Sequence, residues 1–108
     1  MPQTSGIIAG LGRVRLTLEP TPQPSEIGGS ILATAILTKD ERGREQEPLS
    51  GQTIVFWLGA DEVYAHPTND HGRESYTFAG LGFGTHAISV QCGGISVTYR
   101  YTFERKGF

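Results

Sequence analysis

The chain has 108 residues, with nine lysines and arginines against eleven aspartates and glutamates, 15 glycines and six prolines. A chain of this length fits one domain, since it can bury well over half of its unfolded surface in a single core. The formal net charge of −2 provides no basic field to attract nucleic acid or an anionic membrane. The glycine and proline content favours many short strands joined by turns over long helices.

The beginning of the chain has no positively charged region followed by a long apolar run, so we predict no signal peptide in it. No later stretch is apolar enough to insert into a membrane. The single cysteine, Cys92, excludes an intrachain disulfide and a cysteine-rich zinc site. We expect a soluble module that belongs to a longer protein.

The first third of the chain predicts one strand between two irregular segments. Residues 1–12 are small, polar and glycine-containing, and we expect a flexible lead-in there. Residues 13–19 alternate aliphatic and polar side chains, which predicts the first strand. Three prolines then predict a loop over residues 20–29, because each proline removes a backbone donor and fixes its own φ.

The middle of the chain predicts three strands and one charged loop. Residues 30–38 are mostly apolar, and their β-branched content favours a strand over a helix. The most charged stretch, residues 39–52, is interpreted as a solvated loop, with a binding interface as the open alternative. Residues 52–58 predict the third strand by their alternation, and residues 63–65 predict a short fourth strand that a proline ends.

The last third predicts three more strands. A polar turn over residues 68–72 leads into a strand at residues 75–78, and a glycine-rich corner separates it from a strand at residues 85–90. Residues 95–103 show the clearest alternation in the chain. Seven strands separated by frequent turn signals are typical of an antiparallel β-sandwich.

Three short motifs resemble the bacterial immunoglobulin-like domains of invasins and intimins. They are Gly51, Ile54 and Phe56 in a Gly-x-x-Val-x-Phe type of strand, Asn69, Asp70 and Gly72 in an acidic turn, and Gly84, Thr85 and His86 at the start of the next strand. The resemblance implies one seven-stranded antiparallel immunoglobulin-like β-sandwich over residues 13–103, followed by a polar tail at residues 104–108. It also implies a structural spacer or a protein-binding and adhesion domain of a larger bacterial protein, secreted or at the cell surface. Its partners would be another protein or the neighbouring domains of the same polypeptide.

The second half of the chain is also similar to carboxypeptidase-regulatory and collagen-adhesin B-type modules. In those modules an acidic turn ending in glycine leads to a Gly-Leu-x-x-Gly corner. The collagen-adhesin type can contain a Lys–Asn isopeptide bond, but the lysine nearest a strand here, Lys39, adjoins the charged loop. We therefore predict no isopeptide bond.

Four possible metal ligands fall within six residues: His66, Asn69, Asp70 and His71. The succession of Pro, Asn, Asp and Gly in the same stretch supplies the dihedral angles and side-chain hydrogen bonds of a turn, which we favour over a metal site. A calcium site that also used Asp61 and Glu62 would lack the spaced acidic loop of known calcium motifs. We predict no metal and no other cofactor.

Neither the histidines nor the cysteine form a pattern typical of catalysis. His86 shares a strand face with apolar residues, which favours a structural role over that of a catalytic base. Cys92 has no base at a suggestive spacing and is interpreted as a packed strand residue. No Gly-x-Ser-x-Gly motif occurs. We therefore predict that the chain is not an enzyme.

The aromatic residues leave a second function open. Strand alternation places Tyr76, Tyr99 and Tyr101 with the core, whereas Trp57 and Tyr64 remain candidates for an exposed ligand-binding surface. Flat exposed rings are what a carbohydrate site requires, so a carbohydrate-binding accessory module is the alternative function. An unpaired edge of the first or the last strand is a further candidate interface.

Overall fold

The computed structural model describes residues 2–40 and 47–105, in which it contains eight β-strands. The strands are β1 (Gln3–Ile8), β2 (Gly12–Ser25), β3 (Gly28–Lys39), β4 (Thr53–Leu58), β5 (Asp61–Pro67), β6 (Arg73–Leu81), β7 (Gly84–Cys92) and β8 (Ile95–Phe103). Within these two ranges there is no helix that is long and apolar enough to cross a membrane.

The strands form two antiparallel sheets of four strands each, which pack face to face. The strand order is β1-β2-β3-β6 in the first sheet and β5-β4-β7-β8 in the second sheet. On one open side of this β-sandwich-like fold, β5 faces β6, and on the other side β8 faces β1 and β2. The chain crosses between the sheets after β3, after β5 and after β6.

One hydrophobic core lies between the sheets, and it follows from the alternation of the strands. In β2 the inward side chains of Val14, Leu16 and Leu18 are inaccessible to solvent, while the residues between them are partly exposed. The same period of two buries alternate residues of β3 and β7, and Phe56 of β4 is the largest fully buried side chain. Each such aliphatic or aromatic side chain contributes about 1.5–3 kcal/mol by its burial.

All seven predicted strands are present as β2 to β8, but the predicted number of strands is wrong because there are eight. The additional strand, β1, lies within residues 1–12, where the sequence predicts a flexible lead-in. It pairs with the first half of β2 over six residues. Its inward side includes Gly6, where a Cβ would lie 3.3 Å from a side-chain carbon of Ile95. A glycine at an inward position hides the alternation that normally predicts a strand.

The loop predicted for residues 20–29 is wrong for most of its length, since β2 continues to Ser25. The backbone N–H of Leu18 donates to the Pro2 carbonyl at 2.9 Å, so the even-numbered nitrogens of β2 face away from β3. The three prolines occupy the even positions 20, 22 and 24, where β1 no longer covers the strand. Their missing donors therefore fall on a free edge, where the sheet tolerates proline.

The predicted charged loop, residues 39–52, lies partly outside the described residues, since 41–46 are not described. Its two described ends are held together, because the N–H of Lys39 donates to the Glu47 carbonyl at 2.8 Å. The N–H of Leu49 donates to the carbonyl of Leu37 at 3.0 Å. The loop thus begins and ends against the end of β3.

Candidate functional site

The polar turn between β5 and β6 is stabilised by hydrogen bonds from its own backbone to one of its side chains. The side-chain oxygen Oδ1 of Asn69 accepts hydrogen bonds from the N–H groups of His71 and Arg73, at 2.9 and 3.1 Å. Gly72 closes the turn with a φ of +70°, a conformation that favours glycine. The sequence-based interpretation of this stretch as a turn is confirmed. In residues 2–40 and 47–105, no three His, Cys, Asp or Glu side chains come together as a metal site.

Thr68 anchors the same turn to the segment that precedes β4. Among the described residues, Thr68 is the one polar residue that is buried. Its hydroxyl donates to the carbonyl of Leu49 at 2.6 Å. The hydroxyl oxygen also accepts the N–H of Gln52 at 3.1 Å. Because this buried hydroxyl both donates and accepts a hydrogen bond, it fixes the position of the turn.

Tyr64, His66 and Glu74 form a polar contact between the two sheets, here called the cross-sheet clasp. The Nδ1 atom of His66 lies 2.6 Å from a carboxylate oxygen of Glu74, and the Tyr64 hydroxyl donates to the other oxygen at 3.5 Å. Glu74 belongs to β6, and its side chain is only 16% exposed. Burial, and then the charge and hydrogen bond of Glu74, raise the pKa of Tyr64. No pattern within one strand predicts the clasp, because Tyr64 and His66 lie on β5 whereas Glu74 lies on β6 of the other sheet.

The structure separates the two aromatic residues predicted as a ligand-binding surface. Tyr64 lies opposite Phe56 in the β4–β5 pair and therefore faces the interior. Its ring stacks on Tyr76 with centroids 4.9 Å apart. Trp57 follows Phe56 in β4 and so lies on the outer face of the same sheet. Trp57 and Tyr64 consequently do not form one platform.

Trp57 instead lies among polar residues of β7 and β8. Its indole N–H donates to the side-chain oxygen of Gln91 at 3.0 Å. The next strands present pairs of hydroxyl groups on this face: Ser89 with Thr98 at 2.9 Å, and Thr85 with Thr102 at 2.7 Å. The half-exposed indole thus lies on a face that also carries small polar side chains and Arg100, which is opposite Ala87 in the β7–β8 ladder.

His86 and Cys92 both make contacts within the fold. The Nε2 atom of His86 lies 2.8 Å from the carbonyl oxygen of Gly82, four residues earlier, and its ring is half-buried against Phe103. This hydrogen bond holds the glycine-rich corner to the start of β7. Cys92 is buried, and burial raises the pKa of its thiol. The raised pKa disfavours the nucleophilic thiolate.

An open groove lies at the end of the sandwich where the β2–β3 turn meets the β6–β7 corner. Ile27, at the tip of the turn, is 81% exposed. The guanidinium of Arg105 lies 5.0 Å above the ring of Phe83, on the other wall of the groove. The groove combines apolar side chains with a cation–π contact.

The outer strands differ in how their free edges are built. β5 carries one extra residue opposite the junction of Phe56 and Trp57, and β6 carries one opposite the junction of Gly29 and Ile31. The uncovered half of β2 carries prolines. By contrast, β8 pairs with β7 in continuous register over all nine residues and contains neither proline nor bulge. Its outer side is the β8 edge, defined by residues Ile95–Phe103.

The clasp, the Trp57 face, the groove and the β8 edge are therefore the surfaces and contacts from which a function can be argued. Comparisons with known proteins identify no relative of the chain. The chain matches no family model, no curated protein and no solved structure.

Proposed function

We propose that the chain is a non-catalytic immunoglobulin-like module of a larger bacterial protein, acting as a structural spacer or as a protein-binding and adhesion domain. The observation that carries the proposal is that three side chains with possible catalytic chemistry contact or pack against other parts of the fold. His66 is tied to Glu74, His86 to the Gly82 carbonyl, and Cys92 is buried. Cys92 is buried and His86 holds the glycine-rich corner, so neither is well placed for turnover, and the module acts through its faces and edges.

The strand order supports the immunoglobulin-like part of the proposal. With β1 set aside, β2-β3-β6 lies opposite β5-β4-β7-β8. This corresponds to strands A, B and E opposite strands C′, C, F and G of the immunoglobulin Greek key. The seven predicted strands are the seven of that correspondence. β1 is then an addition at the edge of the first sheet.

His86 supports the same correspondence by its position. In immunoglobulin-like domains a tyrosine near the start of strand F bonds back to the backbone a few residues upstream. Here β7 corresponds to strand F, and His86 near its start contacts the Gly82 carbonyl four residues upstream. In this correspondence the imidazole would take the role of the tyrosine hydroxyl.

The test of the non-catalytic module uses the parent protein with the substitutions His66→Asn, His86→Tyr and Cys92→Ser, each made singly. These changes remove the candidate chemistry but replace each side chain by one of related shape. We expect each variant to fold, by circular dichroism, and the function of the parent protein to persist. Loss of function in a variant that keeps its fold and melting temperature would overturn the proposal.

A carbohydrate-binding accessory module remains the second candidate, favoured by the polar face around Trp57. Stacking of a sugar on the indole would displace water from the ring and shift its emission, and Trp57 is the single tryptophan of the chain. We expect this shift with a binding polysaccharide, and we expect it to persist in Tyr64→Phe, because Tyr64 faces the interior. Unchanged emission over a panel of polysaccharides would count against this candidate.

A further inference from the structure

We propose that β8 is the interface of a homodimer, in which the β8 strands of two copies pair antiparallel and join their second sheets into one eight-stranded sheet. A dimer of this kind goes beyond the proposed module and does not depend on it. The proposal rests on the construction of the β8 edge, on its half-buried tyrosines and on the symmetry of its sequence.

The first observation is the contrast between the free edges. An edge strand presents unpaired N–H and C=O groups, and proteins block unwanted pairing with prolines, bulges and charges. β5 has an extra residue and the acidic pair Asp61 and Glu62, β6 has an extra residue, and the free half of β2 has prolines. β8 has nine regular residues and a single charge, Arg100. The remaining edge strand, β1, is also regular and uncharged, but it has only six residues. The outer edge of β8 is therefore the longest regular free edge among the described strands.

The second observation is that β8 leaves aromatic surface uncovered on its inner side. The inward residues Ile95, Val97 and Phe103 are buried, whereas Tyr99 and Tyr101 between them are only half-buried. An added strand places alternate side chains on this same face, beside the two tyrosine rings. The association would thus remove apolar surface from water in addition to pairing the backbone.

The third observation identifies the added strand as a second copy. Full overlap of two antiparallel β8 strands centres the twofold axis on Tyr99, because Ile95 then pairs with Phe103 of the second copy. Every inward pair is apolar or aromatic in this register, and two outward pairs join Ser96 to Thr102. Arg100 lies opposite Thr98 of the second copy, so the two arginines do not face each other directly. Hydroxyl pairs of the same kind already connect β7 to β8 at 2.7 and 2.9 Å.

Like charges directly opposite each other destabilise a strand pair, and this rule gives a selective variant. Thr98→Lys would place a lysine opposite Arg100 at two symmetric positions of the dimer. We expect its dimer dissociation constant to rise by about tenfold or more. The matched control is Thr77→Lys, since Thr77 is an exposed threonine on the edge strand β6 of the other sheet. The control should leave the dissociation constant unchanged.

The register gives a second, independent variant. Tyr99 lies on the proposed axis, so a cysteine there would face its own copy at the short Cα separation that a disulfide requires. Tyr99→Cys should form a disulfide-linked dimer under mild oxidation. Thr102→Cys, which lies opposite Ser96 in this register, should not. The native Cys92 is buried and should not compete.

The experiment is sedimentation equilibrium of the full chain over a wide concentration range, together with non-reducing electrophoresis of the two cysteine variants. The proposal predicts a reversible monomer–dimer equilibrium that Thr98→Lys weakens and Thr77→Lys does not. Melting curves establish that each variant is folded. A wild-type chain that stays monomeric throughout would overturn the proposal, as would a dimer that only the β6 variant weakens or that the Thr102→Cys variant crosslinks preferentially.

Discussion

The two open sides of the sandwich are closed by different means. On the β5–β6 side, Phe56, Tyr64, Tyr76 and Phe78 form a continuous aromatic layer, and the cross-sheet clasp lies at its rim. On the other side, β8 packs against β1 and β2, its two tyrosines stay half-buried, and its edge is regular. On the β5–β6 side the aromatic rings are well packed and both edge strands contain an extra residue. On the other side the long edge of β8 is regular and free.

This difference separates stability from interaction. A side whose aromatic and polar groups contact each other is costly to disturb and offers few backbone groups to a partner. A side with a regular free edge contributes less to the stability of the single chain but can pair with another strand. Substitutions on the β5–β6 side should therefore cause the larger losses in the free energy of unfolding. Substitutions on the β8 side should mainly change the association with a partner strand.

The largest effect should come from Phe56, at the centre of the aromatic layer. Phe56→Ala removes a fully buried ring and leaves a cavity, so we expect a loss of about 3–5 kcal/mol in the free energy of unfolding. The matched change on the other side, Tyr99→Ala, removes a half-buried ring and should cost about 1–2 kcal/mol. Urea denaturation of both variants measures the difference. Equal losses would contradict the contrast between the sides.

A smaller effect should come from the clasp. Glu74→Ala removes the acceptor of both His66 and Tyr64, and we expect a loss of about 1–2 kcal/mol, because His66 is largely exposed and can bond to water. Glu62→Ala, on the exposed surface of β5, should change the free energy of unfolding by less than about 0.5 kcal/mol. Thermal or urea unfolding of the two variants at neutral pH tests this. A Glu74→Ala variant as stable as Glu62→Ala would show that the clasp contributes nothing.

The smallest effect is the dependence of stability on high pH. Burial and the nearby carboxylate raise the pKa of Tyr64 above the ordinary 10.0. The folded chain thus holds this proton more tightly than the unfolded chain, so the contribution is fully present below the unfolded pKa and is lost as pH rises through the folded pKa. Tyr64→Phe should reduce the loss of stability as the pH rises above about 10. Identical pH profiles for the wild type and this variant would contradict the assignment.

The sequence predicts β2 to β8 because their alternation is uninterrupted and their flanks contain turn residues. It does not predict β1, because Gly6 occupies an inward position where a side chain would meet Ile95. It also does not predict the second half of β2, since proline is compatible with a strand only where the nitrogen faces a free edge. That condition depends on the length of β1, which is a property of the sheet and not of the local residues.

The candidate sites were predictable to a smaller extent. The turn role of Asn69 follows from local sequence, and its hydrogen bonds confirm it. The structural role of His86 stays a prediction, which its contact with the Gly82 carbonyl supports. Trp57 and Tyr64 lie on opposite faces of their sheet, because Tyr64 is opposite Phe56 and Trp57 is the next residue of β4. The contact of His66 with Glu74 joins two sheets, and no pattern within one strand could have indicated it.

Backbone amide hydrogen exchange of the full chain, followed residue by residue at low and at high protein concentration, tests most directly the claim that the β8 side is the interacting side. The account predicts that amides of β8 gain protection as the concentration rises, while those of β5 and β6 do not change. Protection that is independent of concentration in β8, or that rises in β5 or β6 instead, would contradict it.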